Sequence, residues 1–583
     1  MQKRILALIL TFLMMPVAAL GELAPDIDLS YLAAMESHTV EEREYTVYLG
    51  SMGASLSMPL YFLDGMNDMP FVEMDSWKDF LIILYHEYLG DEGYDLTISS
   101  SGDRVVLERE NGYSMTLDFD TDRITFGDYN AFLHDSSDSS LLDILSVSGF
   151  NETGESELFV RDSEASFDRY GDLIQLELGE YNIPMVHNQY DFYVPLQTMS
   201  DLLVSPRFYM SLLYNGQAVF MANADTLGNA RTGYTAMGQY YYAAPVGERS
   251  ADLAYFSYNE LCFVLDCLYG LKGIHDIDDF NHLFWEISYQ ENLNSVDPQT
   301  ADDALRSFLT YYLDDLHSGF NGYSYLCGSA SAPADGGITS RKFDRIAAQY
   351  SAARLEAYPR GIPAYEEIGN TAYVTFDSFE SGDSASYYEA GMGAEPWDTI
   401  SLIIYAHGRI NRQNSPVENV VIDLSNNTGG SVDAALYAIG WFLGDIPFSV
   451  KDKFTGAMTT ALYRCDVNLD RKFDDQDTVS DKKLYCLISP VSFSSANLVP
   501  AAFKSSQQVT LLGRTSGGGS CSVLPLSTAY GTLFQISSSQ CFSITKNGSF
   551  YDIDQGIEPD CYISDLQHFY DRQTLTAYIN SLI

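Results

Sequence analysis

Groups that could do chemistry lie at two strand-to-helix turns in the C-terminal half of the 583-residue chain. The first turn, within VENVVIDLSNNTGG (Val417–Gly430), ends on the pair Gly429 and Gly430. The second, within SPVSFSSANLVPAA (Ser489–Ala502), contains Ser494. Main-chain N–H groups at the start of a helix are free and favour negative charge. A hydroxyl at one turn beside a glycine pair at the other predicts a nucleophile next to an oxyanion hole.

Each of these residues also has an ordinary interpretation. A serine cluster at a helix start is more often a plain N-cap, and Ser492 and Ser495 compete with Ser494 for the role of nucleophile. A glycine pair after a buried strand is more often a simple turn. A serine nucleophile also needs a base. His317, one of nine histidines, follows a helical segment, where a surface histidine is the commoner case.

The periodicity of apolar residues predicts the elements that must position these groups. From residue 368 onward, apolar strands, small-residue turns and amphipathic helices alternate, which is typical of an α/β layer. Between residues 250 and 316, amphipathic segments joined by short loops predict a three-helix unit. We therefore divide the chain into a signal peptide (1–21), an N-terminal α+β module (28–245), a helical bundle (250–330), an α/β core (365–566) and a C-terminal helix (567–583).

The N-terminal module contains two similar stretches of sequence. Met69–Tyr85 and Asp191–Val204 each read as a short strand that enters a helix, which suggests a duplicated strand–helix unit. Between them, Leu96–Phe126 alternates apolar and polar residues around SGD, NGY and DTD turns, which predicts a meander of hairpins. The module is similar to small wall-associated or amine-oxidase N-terminal modules of secreted bacterial proteins. We interpret it as a binding or spacer module.

Charge and the N-terminal segment restrict the partners and the compartment. Lys+Arg total 32 against 80 Asp+Glu, a formal net charge of −48, which disfavours a nucleic acid partner because phosphate binding needs a basic surface. Met1–Gly21 carries Lys3 and Arg4, an apolar stretch and small residues, which is typical of a secretory signal. A retained membrane anchor is the alternative. After signal cleavage we expect no membrane association and a secreted, extracellular or cell-envelope location.

Eight cysteines in an exported chain permit disulfides, but their sparse and irregular spacing is not that of a disulfide scaffold. Cys262 and Cys267 are close enough in sequence to approach each other on a helix. Cys465, Cys486, Cys521, Cys541 and Cys561 all lie in the C-terminal half. The spacing assigns no pairing, leaves free buried thiols as the alternative and does not resemble a zinc site.

Four motifs, in order, carry a resemblance to a known family: VVIDLSNNTGG, SPVSFSSAN, LLGRTSGGGSC and DQGIEPD. Over residues 250–566 the chain resembles the core of the tail-specific (C-terminal processing) and tricorn-core serine peptidases. The resemblance implies that Gly429 and Gly430 supply oxyanion N–H groups, that Ser494 is the nucleophile and that the N–H of Ser495 completes the hole. The fold class that we predict is α/β with a crotonase-like ββα core, preceded by the helical bundle and the α+β module.

Members of the family activate the serine with either a lysine or a histidine, and the motifs of this chain indicate which of the two it has. Processing proteases use a lysine in a Thr-Phe-Gly-Lys-Gly motif, but the corresponding stretch here, Thr515–Gly519, has glycine in that place. Lys504 is a poor substitute because it lies nearly three helical turns from Ser494. The tricorn-like branch uses a histidine in an Asp-x-His-Ser-like motif, which resembles Asp315–Ser318. The resemblance therefore implies His317 as the base.

The acid that orients the histidine departs from the family pattern. Where the family has Glu before Gly-Val-x-Pro-Asp, this chain has Ile553, so Asp554 or Asp552 must take its place. Asn497 is a second departure, at a position where the family often has Glu. The stretch from His317 to the strand near Thr371 is also too short for the PDZ module of the processing proteases.

An acidic loop, DVNLDRKFDDQD (Asp466–Asp477), predicts a calcium site of the twelve-residue loop type. Arg471 stands where such loops have Gly, and the last position is Asp rather than Glu, so a solvated acidic loop is the alternative. Calcium would be structural here, because a serine mechanism needs no cofactor. The predicted ligands are Asp466, Asn468, Asp470, the carbonyl of Lys472, Asp474 and Asp477.

Together these observations predict a secreted serine peptidase that hydrolyses peptide bonds through a Ser-His(-Asp) acyl-enzyme mechanism. Its partner would be a polypeptide substrate, and the sequence leaves the oligomeric state open. The alternative is a non-catalytic extracellular binding protein on a peptidase-like scaffold, since a fold does not guarantee an activity.

Overall fold

The computed structural model describes residues 40–63, 66–91, 93–110, 112–133, 142, 158–188, 190–229, 233–328, 336–546 and 548–582. These residues form a mixed α/β fold of several sheets with helices packed on them. The predicted signal peptide, residues 1–21, lies outside the described residues. Within the described part of the chain, no helix is both long and apolar enough to cross a membrane.

The N-terminal sheet contains the two echoing stretches. Phe71–Glu73 enters the helix Met74–Leu84, and Phe192–Pro195 enters the helix Leu196–Met199. The two short strands pair antiparallel, so the echo in the sequence corresponds to neighbouring strand–helix units. The seven strands follow in the order Val186–His187, Phe192–Pro195, Phe71–Glu73, Ser55–Leu63, Val40–Leu49, Val219–Ala222 and Ser211–Tyr214.

The stretch between these units forms the expected hairpins. Buried and exposed residues alternate along its strands, because one face of the sheet covers the apolar core and the other faces solvent. A fifth strand from further along the chain completes the sheet. The strands are Leu96–Ser101, Arg104–Arg109, Ser114–Asp118, Arg123–Phe126 and Ile174–Glu177.

A second antiparallel sheet joins distant parts of the chain. Phe159–Arg169, from the segment that we assigned to the N-terminal module, pairs with Met458–Cys465. Its sequence, FVRDSEASFDR, does not identify a partner strand, so only the tertiary structure decides which sheet it joins. The order is Gly319–Gly322, Leu533–Ser543, Ile446–Asp452, Met458–Cys465 and Phe159–Arg169, and Cys521–Ser527 also pairs with Leu533–Ser543.

The helical segments predicted between residues 250 and 316 form, but their core includes strands. Phe280 and Phe308 on the helices share one apolar cluster with Leu524, Phe534 and Ile536 of the second sheet. The helices therefore pack on that sheet rather than on each other alone. They span Ala251–Leu268, Phe280–Glu286, Gln290–Leu293 and Pro298–Ser307, and a π-helical turn, Phe308–Leu313, follows the last one.

The two turns that contain the candidate catalytic residues follow strands of a mainly parallel sheet. Its order is Tyr365–Ile368, Thr371–Thr375, Asn419–Asp423, Lys483–Ile488, Val509–Gly513 and Cys561–Tyr562, with only the first pair antiparallel. Parallel neighbours end at the same edge, and ligands bind at that edge in α/β sheets. The apolar clusters place Thr399–Ile410, Val432–Leu443 and Ser495–Ser506 on one face and Ile338–Ala357, Gln567–Tyr570 and Arg572–Ser581 on the other.

The predicted C-terminal helix is anchored beneath the first turn by a buried ion pair. The Arg572 guanidinium donates to Asp423 at 2.5 Å and to the Thr375 hydroxyl at 3.1 Å. Asp423 is the last residue of its strand, so this pair connects the helix to the point where the first turn begins. The short elements not yet named are Tyr85–Leu89, Tyr129–Leu133, Leu178–Tyr181, Ser200–Val204, Ser205–Phe208, Ala224–Leu227, Gly228–Asn229, Gly233–Tyr234, Ala236–Tyr241, Tyr325–Cys327, Ser384–Ala390, Asp475–Asp477, Thr545–Lys546 and Ser549–Phe550.

Candidate active site

The two turns meet because the strands before them are parallel neighbours. Ser489 donates its hydroxyl to the Ser425 carbonyl at 2.6 Å, and Ser492 donates to the Leu424 carbonyl at 2.7 Å. A main-chain bond of 3.3 Å from Phe493 N–H to the Asn427 carbonyl adds to these contacts. Serines of the second turn thus satisfy carbonyls of the first, which holds the two turns in one position.

Ser494 differs from the serines on either side of it. Its backbone has φ 58° and ψ −124°, a region that costs strain for a residue with a side chain. Its N–H donates to the Gly518 carbonyl at 2.9 Å, while its hydroxyl has no hydrogen-bond partner among the described residues. Ser492 is fully buried and bonded as described above, and Ser495 donates its hydroxyl to the Gly430 carbonyl at 2.7 Å. Of these three hydroxyls, only that of Ser494 is available.

Two main-chain donors lie unused near this hydroxyl. Within the described part of the chain, neither the Gly430 N–H nor the Ser495 N–H has an acceptor. Gly429 is different, because its N–H donates to the Asn427 side chain at 2.9 Å. It has φ 108°, and a Cβ there would lie 2.8 Å from the Cβ of Ser494. Gly429 therefore permits the close approach of the two turns, and Gly430 and Ser495 retain free donors.

His317 lies in a turn built around the Asp315 carboxylate. One carboxylate oxygen accepts the main-chain N–H of His317 at 3.0 Å and that of Ser318 at 2.8 Å. The same oxygen accepts the Ser537 hydroxyl at 2.7 Å, and the other accepts the Tyr269 hydroxyl at 2.9 Å. Sequence reasoning quoted Asp315 as part of a motif but assigned it no role. The Asp-x-His-Ser spacing is the signal for such a turn, because aspartate accepts N–H groups two residues on.

The His317 ring packs beside the residue that precedes Ser494. Its centroid lies 4.7 Å from that of Phe493, the residue before Ser494, and only 8% of His317 is exposed. Burial lowers the pKa of His317, and the charges of Asp315 and Asp554 partly oppose this shift. The ring is therefore neutral at neutral pH, as a base must be. Its nitrogens have no hydrogen bond among the described residues.

The two candidate acids occupy different positions. Asp554 packs its main chain against Gly518, where a Cβ would lie 2.0 Å from the Asp554 carbonyl oxygen. Its carboxylate accepts the Ser520 N–H at 3.1 Å, and its charge acts on His317. Asp552 is exposed and accepts the Asp554 N–H at 2.9 Å. Asp554 is therefore the candidate acid whose charge acts on the ring, and Asp552 holds the turn that carries it.

Ile553, which stands where the family has Glu, is part of the core. It is buried, and its carbonyl accepts the Asn497 side chain at 2.8 Å. Asn497 in turn accepts the Ser516 hydroxyl at 2.6 Å. Through these contacts Asn497 connects the helix that follows Ser494 to the turn that contains Asp552 and Asp554. Lys504 is engaged elsewhere, since its ammonium donates to the Glu558 carbonyl at 3.2 Å and pairs with Asp560.

In the acidic loop, a side-chain carboxylate accepts hydrogen bonds from main-chain N–H groups of the same loop. Leu469 and Arg471 both have φ 61°, and the Asp477 carboxylate accepts the N–H of Val467 at 2.8 Å and of Asp474 at 2.9 Å. Burial raises the pKa of Asp477 to about 6. Among the described residues, no group of three or more His, Cys, Asp or Glu side chains is arranged to hold a metal ion. Calcium at Asp466, Asn468, Asp470, Lys472, Asp474 and Asp477 stays a prediction.

Comparison with known families identifies the part of the chain that carries this site. Residues 370–563 match Peptidase family S41. The chain therefore carries an S41 domain, and the family resemblance predicted from the motifs is confirmed for these residues. The match supports the predicted enzyme class, a serine-type peptidase. Ser494, both turns and Asp554 lie within the S41 match, whereas His317 lies before it.

Solved structures with partial similarity to the chain include several peptidases. A putative peptidase from Parabacteroides merdae is 16% identical over 56% of this chain and 96% of its own, with a TM-score of 0.41. The tricorn protease is 10% identical over 84% of this chain and 46% of its own, with a TM-score of 0.28. The photosystem II D1 C-terminal processing protease is 18% identical over 35% of this chain, with a TM-score of 0.26.

The assignment to S41 rests on the family match and not on these structures. The chain spans only 45% of the length of the D1 processing protease. No curated protein matches the chain significantly.

Proposed function

We propose that this protein is a secreted serine peptidase that hydrolyses peptide bonds with Ser494 as nucleophile. One observation carries the proposal: a hydroxyl on a strained turn at a helix start has no hydrogen bond to the described residues and lies beside two unused N–H groups. The same element supplies the nucleophile and one donor, since the Ser495 N–H is the first of the helix. The S41 match makes a polypeptide the substrate class.

The proposed reaction uses groups that the turns and the His317 loop bring together. The neutral ring of His317 takes the proton of Ser494 as its oxygen attacks the peptide carbonyl. The oxyanion is stabilised by the N–H groups of Gly430 and Ser495. His317 then gives the proton to the leaving amine, and water hydrolyses the acyl-enzyme by the same base. Gly429, which the family resemblance implied as a further oxyanion donor, contributes by leaving room for Ser494, because its N–H is already bonded.

Asp554 is the proposed acid, with Asp552 as its support. A negative charge near the ring stabilises the imidazolium that forms during each proton transfer. The ring makes no hydrogen bond to Ser494 or to a carboxylate among the described residues. Catalytic hydrogen bonds are often long in unliganded enzymes and tighten when substrate binds, so this geometry is compatible with the mechanism.

The remaining predictions belong to the same proposal. Residues 1–21 would direct export and be removed, which gives a secreted, extracellular or cell-envelope protein. The crotonase-like core is supported by the parallel strands with helices on both faces. The preceding helical unit is supported by the helices between Ala251 and Ser307, which pack on the second antiparallel sheet. Catalysis needs no cofactor, and calcium at residues 466–477 would stabilise a loop.

A fluorophosphonate probe tests the nucleophile directly. The wild-type protein should become covalently labelled at Ser494, and Ser494→Ala should abolish labelling while the circular dichroism spectrum stays unchanged. Ser505→Ala is the matched control, because Ser505 is an exposed serine on the same helix. Undiminished labelling of Ser494→Ala would assign the nucleophile elsewhere.

The second candidate function is a non-catalytic binding protein on the same scaffold. The lack of a hydrogen bond from the His317 ring, together with Ile553 in place of Glu, favours it. If the folded wild-type protein takes no probe and cleaves no unstructured polypeptide, this candidate replaces the peptidase.

A further inference from the structure

Two cysteines face each other behind the candidate site. Cys521 begins the strand Cys521–Ser527, Cys541 lies in its antiparallel neighbour Leu533–Ser543, and the two residues are paired in register. Their sulfur atoms are 3.2 Å apart, and both side chains are buried. All eight cysteines lie in the described residues, and no other pair is in sulfur contact.

This arrangement meets the geometric requirements of a disulfide. Residues opposite one another on antiparallel strands have Cα atoms about 4.5 to 5.5 Å apart. Disulfides join Cα atoms about 4.4 to 6.8 Å apart, with an S–S bond of about 2 Å. Rotation of the two side chains is therefore enough to close the bond, and the strands need not move. We propose that Cys521 and Cys541 form a disulfide in the exported protein, a site of covalent modification adjacent to the S41 active site.

The oxidation balances with an oxidised exchange partner. Thiolates are the species that react with disulfides. The thiolate of one of the two cysteines attacks the disulfide of a thiol–disulfide exchange partner and forms a mixed disulfide. The thiolate of the other cysteine then displaces the partner, which leaves as a dithiol with the two electrons and two protons of the former thiols.

Burial determines when this exchange happens. Both sulfur atoms are covered in the folded protein, so an exchange partner reaches them only before the two strands close. The cross-link thus forms during folding in an oxidising compartment, which agrees with the signal segment predicted at residues 1–21.

If the proposed function holds, the disulfide also helps to position Asp554, the proposed acid. Ser520, next to Cys521, donates its N–H to Asp554 at 3.1 Å. The Ser520 carbonyl accepts the N–H of Phe542, the neighbour of Cys541, at 2.8 Å. A disulfide beside this bond would fix Ser520, and through it the Asp554 carboxylate.

The same pair also packs against the segment that supports His317. A Cβ at Gly270 would lie 3.2 Å from the Cys521 sulfur, so the strand and this segment are in close contact. Tyr269, the preceding residue, donates its hydroxyl to Asp315, which shapes the His317 turn. The disulfide therefore lies between the supports of the proposed acid and of the proposed base.

Mass spectrometry of the intact protein tests the bond without reference to activity. The full chain is exported into an oxidising compartment, denatured without reductant and alkylated. Eight cysteines minus the two joined leave six alkylated residues, and the peptides of Cys521 and Cys541 are recovered as one species that reductant separates. Eight alkylated cysteines, or a different pairing, would overturn the proposal.

Two variants control for this count. Cys541→Ser leaves seven cysteines with no partner for Cys521, so all seven become alkylated. Cys486→Ser removes a buried thiol of the parallel sheet, so two of its seven cysteines stay joined and five become alkylated.

A second measurement separates the positioning role from the bond. Wild-type protein refolded from denaturant with a phosphine reductant should be labelled more slowly by the fluorophosphonate than protein refolded without it, and the labelling rate of Cys541→Ser should not depend on the reductant. An unchanged wild-type rate after complete reduction would refute the positioning role. If the disulfide forms but the oxidised protein takes no probe, the cross-link stands and the proposed peptidase function fails.

Discussion

The Asp315 carboxylate accepts the main-chain N–H of His317 at 3.0 Å, so an acid two residues upstream sets the direction in which the ring leaves the chain. Four donors converge on this carboxylate, from His317, Ser318, Ser537 and Tyr269. Its charge also opposes the effect of burial on the ring. Asp315 is thus a positioning residue with both a geometric and an electrostatic effect on the proposed base.

Substitution of Asp315 separates these two effects. Asp315→Ala removes every acceptor of the turn, and we expect kcat to fall roughly 10²-fold because small misplacements of catalytic groups cost about that much. Asp315→Asn keeps one oxygen but loses the charge, so the pKa of His317 should fall further. The measurement is the pH profile of kcat/KM for both variants. An acidic limb that does not move in Asp315→Asn would contradict the electrostatic effect.

The pH dependence of the wild-type enzyme follows from the direction of the His317 shift. Burial places its pKa below the usual 6.5, so the ring is neutral at pH 7 and becomes protonated only in mildly acidic solution. We expect kcat/KM to be level near neutrality and to fall about tenfold per pH unit below the pKa of the base. A profile that stays level throughout the acidic range in which the protein is folded would argue against His317. His317→Gln, which cannot take the proton, should be inactive throughout.

Gly429→Ala tests the close approach of the two turns. The new Cβ would lie 2.8 Å from the Cβ of Ser494, so Ser494 must shift and labelling should slow by roughly 10²-fold. Gly369→Ala is the matched control, because Gly369 also has a positive φ but has open space around it. Both variants carry backbone strain of about 1–3 kcal/mol. Equal labelling rates in the two variants would show that the contact with Ser494 does not matter.

Removal of the Arg572 side chain should destabilise the S41 domain. Arg572→Met leaves the buried Asp423 carboxylate without its partner, which costs about 3–5 kcal/mol. Urea denaturation followed by circular dichroism measures this loss. The double variant Asp423→Leu, Arg572→Met removes both charges and should recover part of the stability. A double variant that is less stable than Arg572→Met would show that the pair contributes more than the cost of a lone buried charge.

Calcium should raise the thermal stability of the protein if residues 466–477 bind it. Calcium at one hundred times its dissociation constant adds about 2.7 kcal/mol. Binding should weaken as pH falls through about 6, because the carboxyl of Asp477 becomes protonated there and ligands must be ionised. Scanning calorimetry with calcium and with chelator tests this, and Asp477→Asn should abolish the difference. The same Tm in calcium and in chelator would contradict calcium binding and favour the alternative, a solvated acidic loop.

Local patterns in the sequence predicted much of the site. The turns after Asn419–Asp423 and Lys483–Ile488 were visible as apolar runs that end in small residues, and they form as expected. The sequence favoured Ser494 but left Ser492 and Ser495 as competing choices, because the residue type does not show whether a hydroxyl is hydrogen-bonded in the folded protein. The sequence also left Asp552 and Asp554 open as the acid, and only the folded structure shows that the charge of Asp554 acts on His317.

The sequence by itself determined the strand–turn–helix units, the glycine pair and the serine cluster, because hydrophobic periodicity and turn chemistry act over a few residues. The tertiary structure decided which distant residues meet. It placed Phe159–Arg169 in the second sheet, His317 beside Phe493 and Cys521 opposite Cys541. The physical reason is that strand register and sheet partners depend on how the whole chain buries its apolar faces, and no short segment carries that information.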